Sequence, residues 1–384
     1  MRAILLLAFV ACSGAAMAQV DRTDEIVTKA ITAMGGIERI HALHSLVFRG
    51  FHYEGAYKQE YAGSRQSSAV MVRMRPALRL VGCRPEIPGC TGQWGRIVEG
   101  FDGSRGWELN WPKQRLVRTV NKAERALHCG AAFDYAFIDY RQRGFRASYL
   151  GRKSVLGESL EAVQINRDDC GPPMMYYFDP ASFELRMREM TIPIHARGDA
   201  VDTIAVSKSF KTVNGVKLIS REEEVNAKTG DVIDGAEWTS IEANTIDDRK
   251  IFEAPEVHPV GITAVVLQML ARAQDATPAQ MMELYTKFRA SDEGRNADVV
   301  YDMNWLGFEL LKVDKYDYAL PVFRQLIEEN PQSGSAYASL GEAYLQMKDD
   351  AKALEAFQHA VNLGLKDEDV LRKLSRLQKA SQGS

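Results

Sequence analysis

The run Phe210-Lys211-Thr212-Val213-Asn214-Gly215-Val216-Lys217-Leu218-Ile219 decides the fold of the first two-thirds of the chain. Strand-like residues flank Asn214-Gly215 on both sides, and that dipeptide accepts the positive φ that a type I′ turn requires at both positions. The run predicts a β-hairpin. Outward from it, a period of two extends from Ser45 to about Thr245. Phe183, Leu185 and Met187 alternate with Glu184, Arg186 and Arg188, which predicts that the three apolar residues share one face. Asp102-Gly103, Asp179-Pro180, Gly198-Asp199 and Gly230-Asp231 separate further strand-like runs. Short consecutive strands joined by tight turns predict an antiparallel, meandering sheet. A helical patch from Asn121 to Tyr140 interrupts it. Before the sheet, Ile26, Val27, Ala30, Ile31 and Met34 lie along one helical face that Gly35-Gly36 ends, and Ile37, Ile40 and Leu43 suggest a second short turn of helix.

The pattern changes near residue 256. Ile262, Val265, Val266, Met269 and Leu270 have the spacing of an amphipathic helix, and Thr277-Pro278 caps and starts another, running to about Ala290. Beyond these, Leu306-Gly307 recurs as Leu340-Gly341, Ala319 as Ala353 and Phe323 as Phe357. The common offset is that of the tetratricopeptide repeat. Tyr337, Leu340, Gly341, Tyr344, Ala353, Phe357 and Ala360 resemble that family's pattern in the second repeat. Leu306, Gly307, Ala319, Phe323 and Pro331 do so in the first, where Met303 and Leu310 replace the expected aromatics. Leu371, Leu374 and Leu377 read as a closing helix.

A second resemblance covers roughly residues 24–256. Asp24-Glu25-Ile26 through Gly35-Gly36-Ile37-Glu38, with Ser45-Leu46 opening a strand, resembles the start of exported LolA-like proteins, which include outer-membrane lipoprotein carriers and sorting-type proteins. Phe101-Asp102-Gly103-Ser104-Arg105-Gly106-Trp107, Gly151-Arg152-Lys153 with Gly157, Tyr177-Phe178-Asp179-Pro180 and Val213-Asn214-Gly215-Val216-Lys217-Leu218 continue the series in order. The resemblance implies an incomplete β-barrel whose concave apolar side is partly filled by helices and binds acyl chains or lipids. Its motifs are turns, so no catalytic residue transfers.

The expected architecture is α+β in two domains: an antiparallel incomplete β-barrel with packed helices, then an α-helical repeat solenoid. Residues 1–18 read as a signal peptide, 19–256 as the LolA-like half-barrel, 257–299 as a helical connector or degenerate repeat, and 300–384 as two repeats with a capping helix. Arg2, the apolar run Ile4–Val10 and Ala16-Met17-Ala18 give the leader, with cleavage before Gln19 and export to the periplasm or beyond; lipid anchoring at Cys12 is the rival reading. Of five cysteines, four then remain, an even number in an oxidising compartment. Cys83 and Cys90 bracket a turn-forming loop, which pairs them together and Cys129 with Cys170. Hydrophobic residues at 46% and charged residues at 26% exclude a disordered chain. A net charge of −3 lacks the positive field that non-specific nucleic-acid binding needs.

Candidates for a ligand cavity are Phe101, Trp107, Tyr176, Phe178, Phe183, Leu185, Met187 and Trp238, since an acyl chain needs only an apolar concave face. Candidates for a repeat groove are Asn304, Phe308, Leu311, Ala338, Glu342 and Leu345. Arg141, Arg143, Arg146, Arg152 and Lys153, interleaved with Tyr140, Phe145 and Tyr149, could meet anionic head groups at a membrane surface, or simply form a solvated face. His41 and His44 have i, i+3 helical spacing and His52 follows, but spacing fixes no third ligand, so surface or packing histidines are expected and neither metal nor cofactor. The chain has no nucleophile elbow, zinc-protease helix or phosphate loop, which argues against an enzyme. Two functions follow. One is a periplasmic binder of a lipid, acyl chain or lipoprotein whose repeats dock a protein partner. The other is an envelope scaffold in which the repeats bind and the β domain carries no ligand.

Overall fold

The computed structural model describes residues 22–54, 67–90, 92, 94–170, 173–193 and 200–382. The leader reading and Cys12 lie outside them. The chain divides into two compact units, one of which takes in Asn110–Leu116 together with Glu256–Ser384.

The chain runs through helix α1 (22–33) and a short α2 (Ile37–His41). The strands follow: β1 (Ser45–Glu54), β2 (Ser67–Met74), β3 (Leu78–Val81), β4 (Ile97–Phe101), β5 (Gly106–Asn110) and β6 (Arg115–Arg118). Helix α3 (Asn121–Ala131) precedes β7 (Arg146–Val155), β8 (Glu158–Asn166), β9 (Met174–Phe178), β10 (Leu185–Pro193), β11 (Ala200–Val213), β12 (Val216–Asn226) and β13 (Val232–Ala243). All thirteen form one sheet in the order β6-β5-β4-β3-β2-β1-β13-β12-β11-β10-β9-β8-β7. Each wing is therefore an up-and-down meander, and pairing of the first strand with the last joins the two. The hairpin at Asn214-Gly215 is as expected, with φ of 50° and 79°, and Val213 pairs with Val216 across it.

A sheet this wide curls rather than staying open and flat. The curl is visible at β2 and β10, five places apart in the order. Arg73 of β2 donates to Ala132 O, while the Arg188 guanidinium of β10 lies 5.7 Å from the Tyr135 ring, so both walls reach one short segment. A bulge between Arg49 and Gly50 bends the central pair, and a side chain there would meet Glu237 O at 1.9 Å from its Cβ.

Alternation gives the sheet two apolar faces. On one, Ile26, Val27 and Ala30 of α1, Ile40 of α2, and Phe133 and Phe137 of the segment after α3 pack on Leu46, Phe48, Val163, Ile165, Tyr176, Phe178, Leu185 and Ile241. The helical patch is thus shorter than its sequence suggests: α3 ends at Ala131, and residues 132–145 are turns whose aromatics plug the sheet. On the other face, Leu160, Ala162, Tyr177, Met187, Ile204, Val206 and Val225 cluster. Both expected disulfides are present, Cys83–Cys90 and Cys129–Cys170.

In the second unit, α4 (Gly261–Arg272) packs with α5 (Pro278–Ala290), α6 (Val300–Lys312) with α7 (Tyr316–Glu329), and α8 (Gly334–Gln346) with α9 (Asp350–Asn362); α10 (Glu368–Gln382) closes on α9. The repeated glycines explain the close pairing. A Cβ on Gly307 would lie 2.4 Å from the Phe323 ring, and one on Gly341 2.7 Å from Phe357. No helix among the described residues is long and apolar enough to cross a membrane.

Candidate functional site

The eight ligand-cavity candidates do not meet in one place. Tyr176, Phe178 and Leu185 lie in the core between the sheet and its helices, with Phe183 and Trp238 packed at its margin. Their surroundings are dense: Phe137 sits edge-on to Tyr176 at 5.0 Å and to Phe178 at 5.3 Å, and stacks on Tyr135 at 5.6 Å. The Tyr176 hydroxyl accepts from Ala136 N. Phe101 contacts the ring of His128 on α3. Trp107 is buried elsewhere, with its indole N–H donating to Phe252 O. Met187 lies on the opposite face from Leu185, contrary to the period-two expectation. A register shift between Leu185 and Met187 inserts an extra residue and reverses the alternation. Phe183 precedes the strand altogether, in a turn at φ 59° closed by its N–H to Asp179 O.

Among the described residues, a slot of about 10 Å³ on the helix-facing side is lined by Ala33, Met34, Tyr135, Glu184, Leu185, Phe210, Lys217 and Ile219. That is scarcely room for one water. Glu184 accepts an ion-pair hydrogen bond from Lys217 at its edge.

The same side of the sheet becomes polar toward β2, β3 and β10. Register places Arg73 opposite both Leu46 and Arg79, so both arginines share the face of the apolar core. Burial lowers the pKa of Arg73 to about 10, and Arg79 and Arg188 push in the same direction. Burial also lowers that of Arg79, against Glu99 and Glu224. Arg188 pairs with Glu222, and burial pushes the half-buried Tyr135 up to about 12. Burial, with Asp234 and Glu222 nearby, raises Glu224 to about 7.

The arginines of the basic run beyond α3 are occupied by their own neighbours, while Lys153 is exposed. Arg141 pairs with Asp24 at 2.6 Å, Arg146 with Asp168 at 3.0 Å and Arg152 with Glu161 at 3.1 Å. Arg143 donates to Tyr135 O and Ile138 O and, like Arg167, lies against the Phe145 ring. Burial opposes ionisation of Glu161, yet hydrogen bonds from Tyr149 and Arg152 outweigh it and hold the carboxyl below its ordinary value.

His41, His44 and His52 each pair with a different carboxylate, Asp139, Asp247 and Asp234 respectively. Among the described residues, His128, Asp169 and Cys170 have ligand atoms within 4.8 Å of one another. The Cys170 sulfur is committed to Cys129, and Asp169 is held down to about 2, first by its hydrogen bond from Arg167. Two ligands are left, too few for a closed metal site.

In the repeats, Leu311, Ala338 and Glu342 are buried, the last paired with Lys373 of α10, while Asn304, Phe308 and Leu345 are half-buried. An open groove of about 330 Å³ lies on α4 and α5, lined by Gln268, Ala271, Arg272, Asp275 and Leu284. The residue that most organises this unit is one that no sequence motif marks. Asp302, fully buried, accepts from Thr263 Oγ1 at 3.0 Å, Lys113 Nζ at 2.9 Å and Arg115 Nη1 at 3.3 Å. Arg115 also lies 4.0 Å from the Trp305 ring.

A tetratricopeptide-repeat family model matches residues 310–377. No curated protein matches the chain. Solved structures similar to the N-terminal part are LolA-superfamily and DUF1329 proteins. A DUF1329 family protein from Desulfovibrio piger is 7% identical over 60% of this chain and 97% of its own, with a TM-score of 0.39. LolA superfamily protein NE2245 from Nitrosomonas europaea is 11% identical, again over 60% and 97%, with a TM-score of 0.37. A mutant of MamA is 21% identical over 32% of this chain and 87% of its own, at a TM-score of 0.25.

Proposed function

We propose that this chain is an exported, non-catalytic adaptor of the cell envelope. Its repeats dock a protein partner, and its sheet unit is a platform rather than a container for an acyl chain. One observation carries the choice: α1 and the aromatic segment 132–145 pack against the helix-facing side of the sheet, and the apolar slot described there holds about 10 Å³ where ligand pockets hold several hundred. The two disulfides support an oxidising destination, and stacked helix pairs of this kind recurrently present a protein-binding surface.

The half-buried Asn304 on α6 is the place to test docking. A photo-crosslinking residue at Asn304 of the full chain, expressed with its leader, is expected to capture a discrete protein species. The same residue at the exposed Lys153 on β7 is expected to capture none. Equal, diffuse labelling from both positions would count against docking through the repeats.

The carrier reading, in which the sheet binds a lipid, acyl chain or lipoprotein, is favoured by the apolar character of the slot beside Met34, Leu185 and Ile219. It requires α1 or the aromatic segment to withdraw, breaking the Tyr140 and Arg141 contacts to Asp24.

A further inference from the structure

The polar end of the helix-facing side brings Arg73, Arg79 and Arg188 near the carboxylates of Glu99, Glu222 and Glu224, with the side-chain hydrogen bonds among them incomplete. Arg73 and Arg79 stand directly opposite each other on β2 and β3, an arrangement of like charges that weakens a strand pair unless something neutralises it. Arg79 is half-buried, and its side chain makes no hydrogen bond or ion pair among the described residues. Its side-chain nitrogens are not among the buried unmet atoms, so they stay within reach of water and of a solute. Arg73 gives one nitrogen to the carbonyls of Gly130 and Ala132 at the end of α3, while its Nε–H has no acceptor among the described residues. Across the curl, Arg188 gives one nitrogen to Glu222, and its Nε–H is likewise unmet. Glu222 Oε1 is in turn left without a donor. Tyr135 stands between the walls, its ring 5.7 Å from the Arg188 guanidinium.

We propose that Arg73, Arg79 and Arg188 form a binding site for an oxyanion, a phosphate or carboxylate group carried either by a small solute or by the head of an amphiphile. Guanidinium groups suit such a ligand because their planar N–H pairs match its oxygens two at a time. Arg79 supplies the uncommitted cation, and Arg73 and Arg188 set the flanking field from opposite walls. The site is independent of the repeats and does not need the filled apolar core to open.

The test uses the full, oxidised chain at low ionic strength, with inorganic phosphate as the first probe and monomeric dihexanoylphosphatidate as the second, read by calorimetry and by Tm. Saturable one-site phosphate binding with a matching rise in Tm is expected. Arg79→Gln is expected to weaken it by at least about tenfold, and Arg295→Gln, exposed between α5 and α6, to leave it unchanged. The Arg79 side chain has no hydrogen bond to lose, so its variant is expected to keep the fold, which near-ultraviolet circular dichroism verifies. Tighter binding of the phosphatidate than of phosphate, lost in the same variant, assigns the site to an amphiphile head; equal or weaker binding assigns it to a small solute. Absence of saturable phosphate binding at millimolar concentration, or binding undiminished by Arg79→Gln, overturns the proposal.

Discussion

Replacing Asp302 with alanine is expected to destabilise the second unit by about 3–5 kcal/mol, the usual effect of removing one partner from a buried ion pair. The carboxylate is fully buried and so, nearly, is Arg115, at 3% exposure. Without Asp302, the Arg115 guanidinium keeps its place against Trp305 but loses the only carboxylate partner described for it, and Thr263 loses an acceptor. Lys113 is more exposed and can turn to water. Urea unfolding followed by tryptophan fluorescence measures the loss. The double variant Arg115→Met with Asp302→Leu is expected to recover most of it, because matched apolar groups remove the unpaired charge rather than strand it. A single Asp302→Ala change within about 0.5 kcal/mol of the unaltered protein would contradict this expectation, since that is the range of ordinary surface substitutions.

The second large effect is expected from the longer disulfide. Cys129 lies on α3 and Cys170 in the connection before β9, 41 residues apart, so the bond fixes α3 to the far wing of the sheet. In the chain-entropy model a loop of that length is worth about 4 kcal/mol, against about 2.5 kcal/mol for the short Cys83–Cys90 loop. Changing both Cys129 and Cys170 to serine should therefore lower Tm more than the equivalent change at Cys83 and Cys90. It should also expose α3 to trypsin at Arg125, with the sheet retained by circular dichroism. Equal losses from the two double variants would contradict this ranking.

Local signals explain what is legible in the sequence. The Asn214-Gly215 hairpin, the short α2, the meandering order and both disulfide pairings depend on contacts or turns close in sequence or on a simple elimination. The repeats are legible because Gly307 and Gly341 face Phe323 and Phe357 through the same small-to-large fit. The candidate site is far less legible. Alternation alone puts Met187 on the face of Leu185, because a bulge leaves no mark in the sequence of residue types. Trp107, Phe101 and Tyr176 are all aromatic, yet they pack against Phe252, His128 and Phe137 in separate surroundings, and composition carries no such distinction. The arginines are invisible for a different reason: Arg73 and Arg188 approach only because the sheet curls across five strand positions. Asp302 escapes sequence reasoning because its partners Lys113 and Arg115 are nearly half the chain away.

The filled interior of the sheet is the feature on which the functional reading depends, and native mass spectrometry of the full chain reads it directly. The full chain should be expressed under oxidising conditions, purified without detergent, and split between the spectrometer and a solvent extraction. The expected result is the mass of the bare polypeptide, four hydrogens below the reduced chain because of its two disulfides, and no stoichiometric lipid in the extract. A lipid or acyl species retained at one per chain would contradict it and establish that α1 or the aromatic segment yields to a ligand.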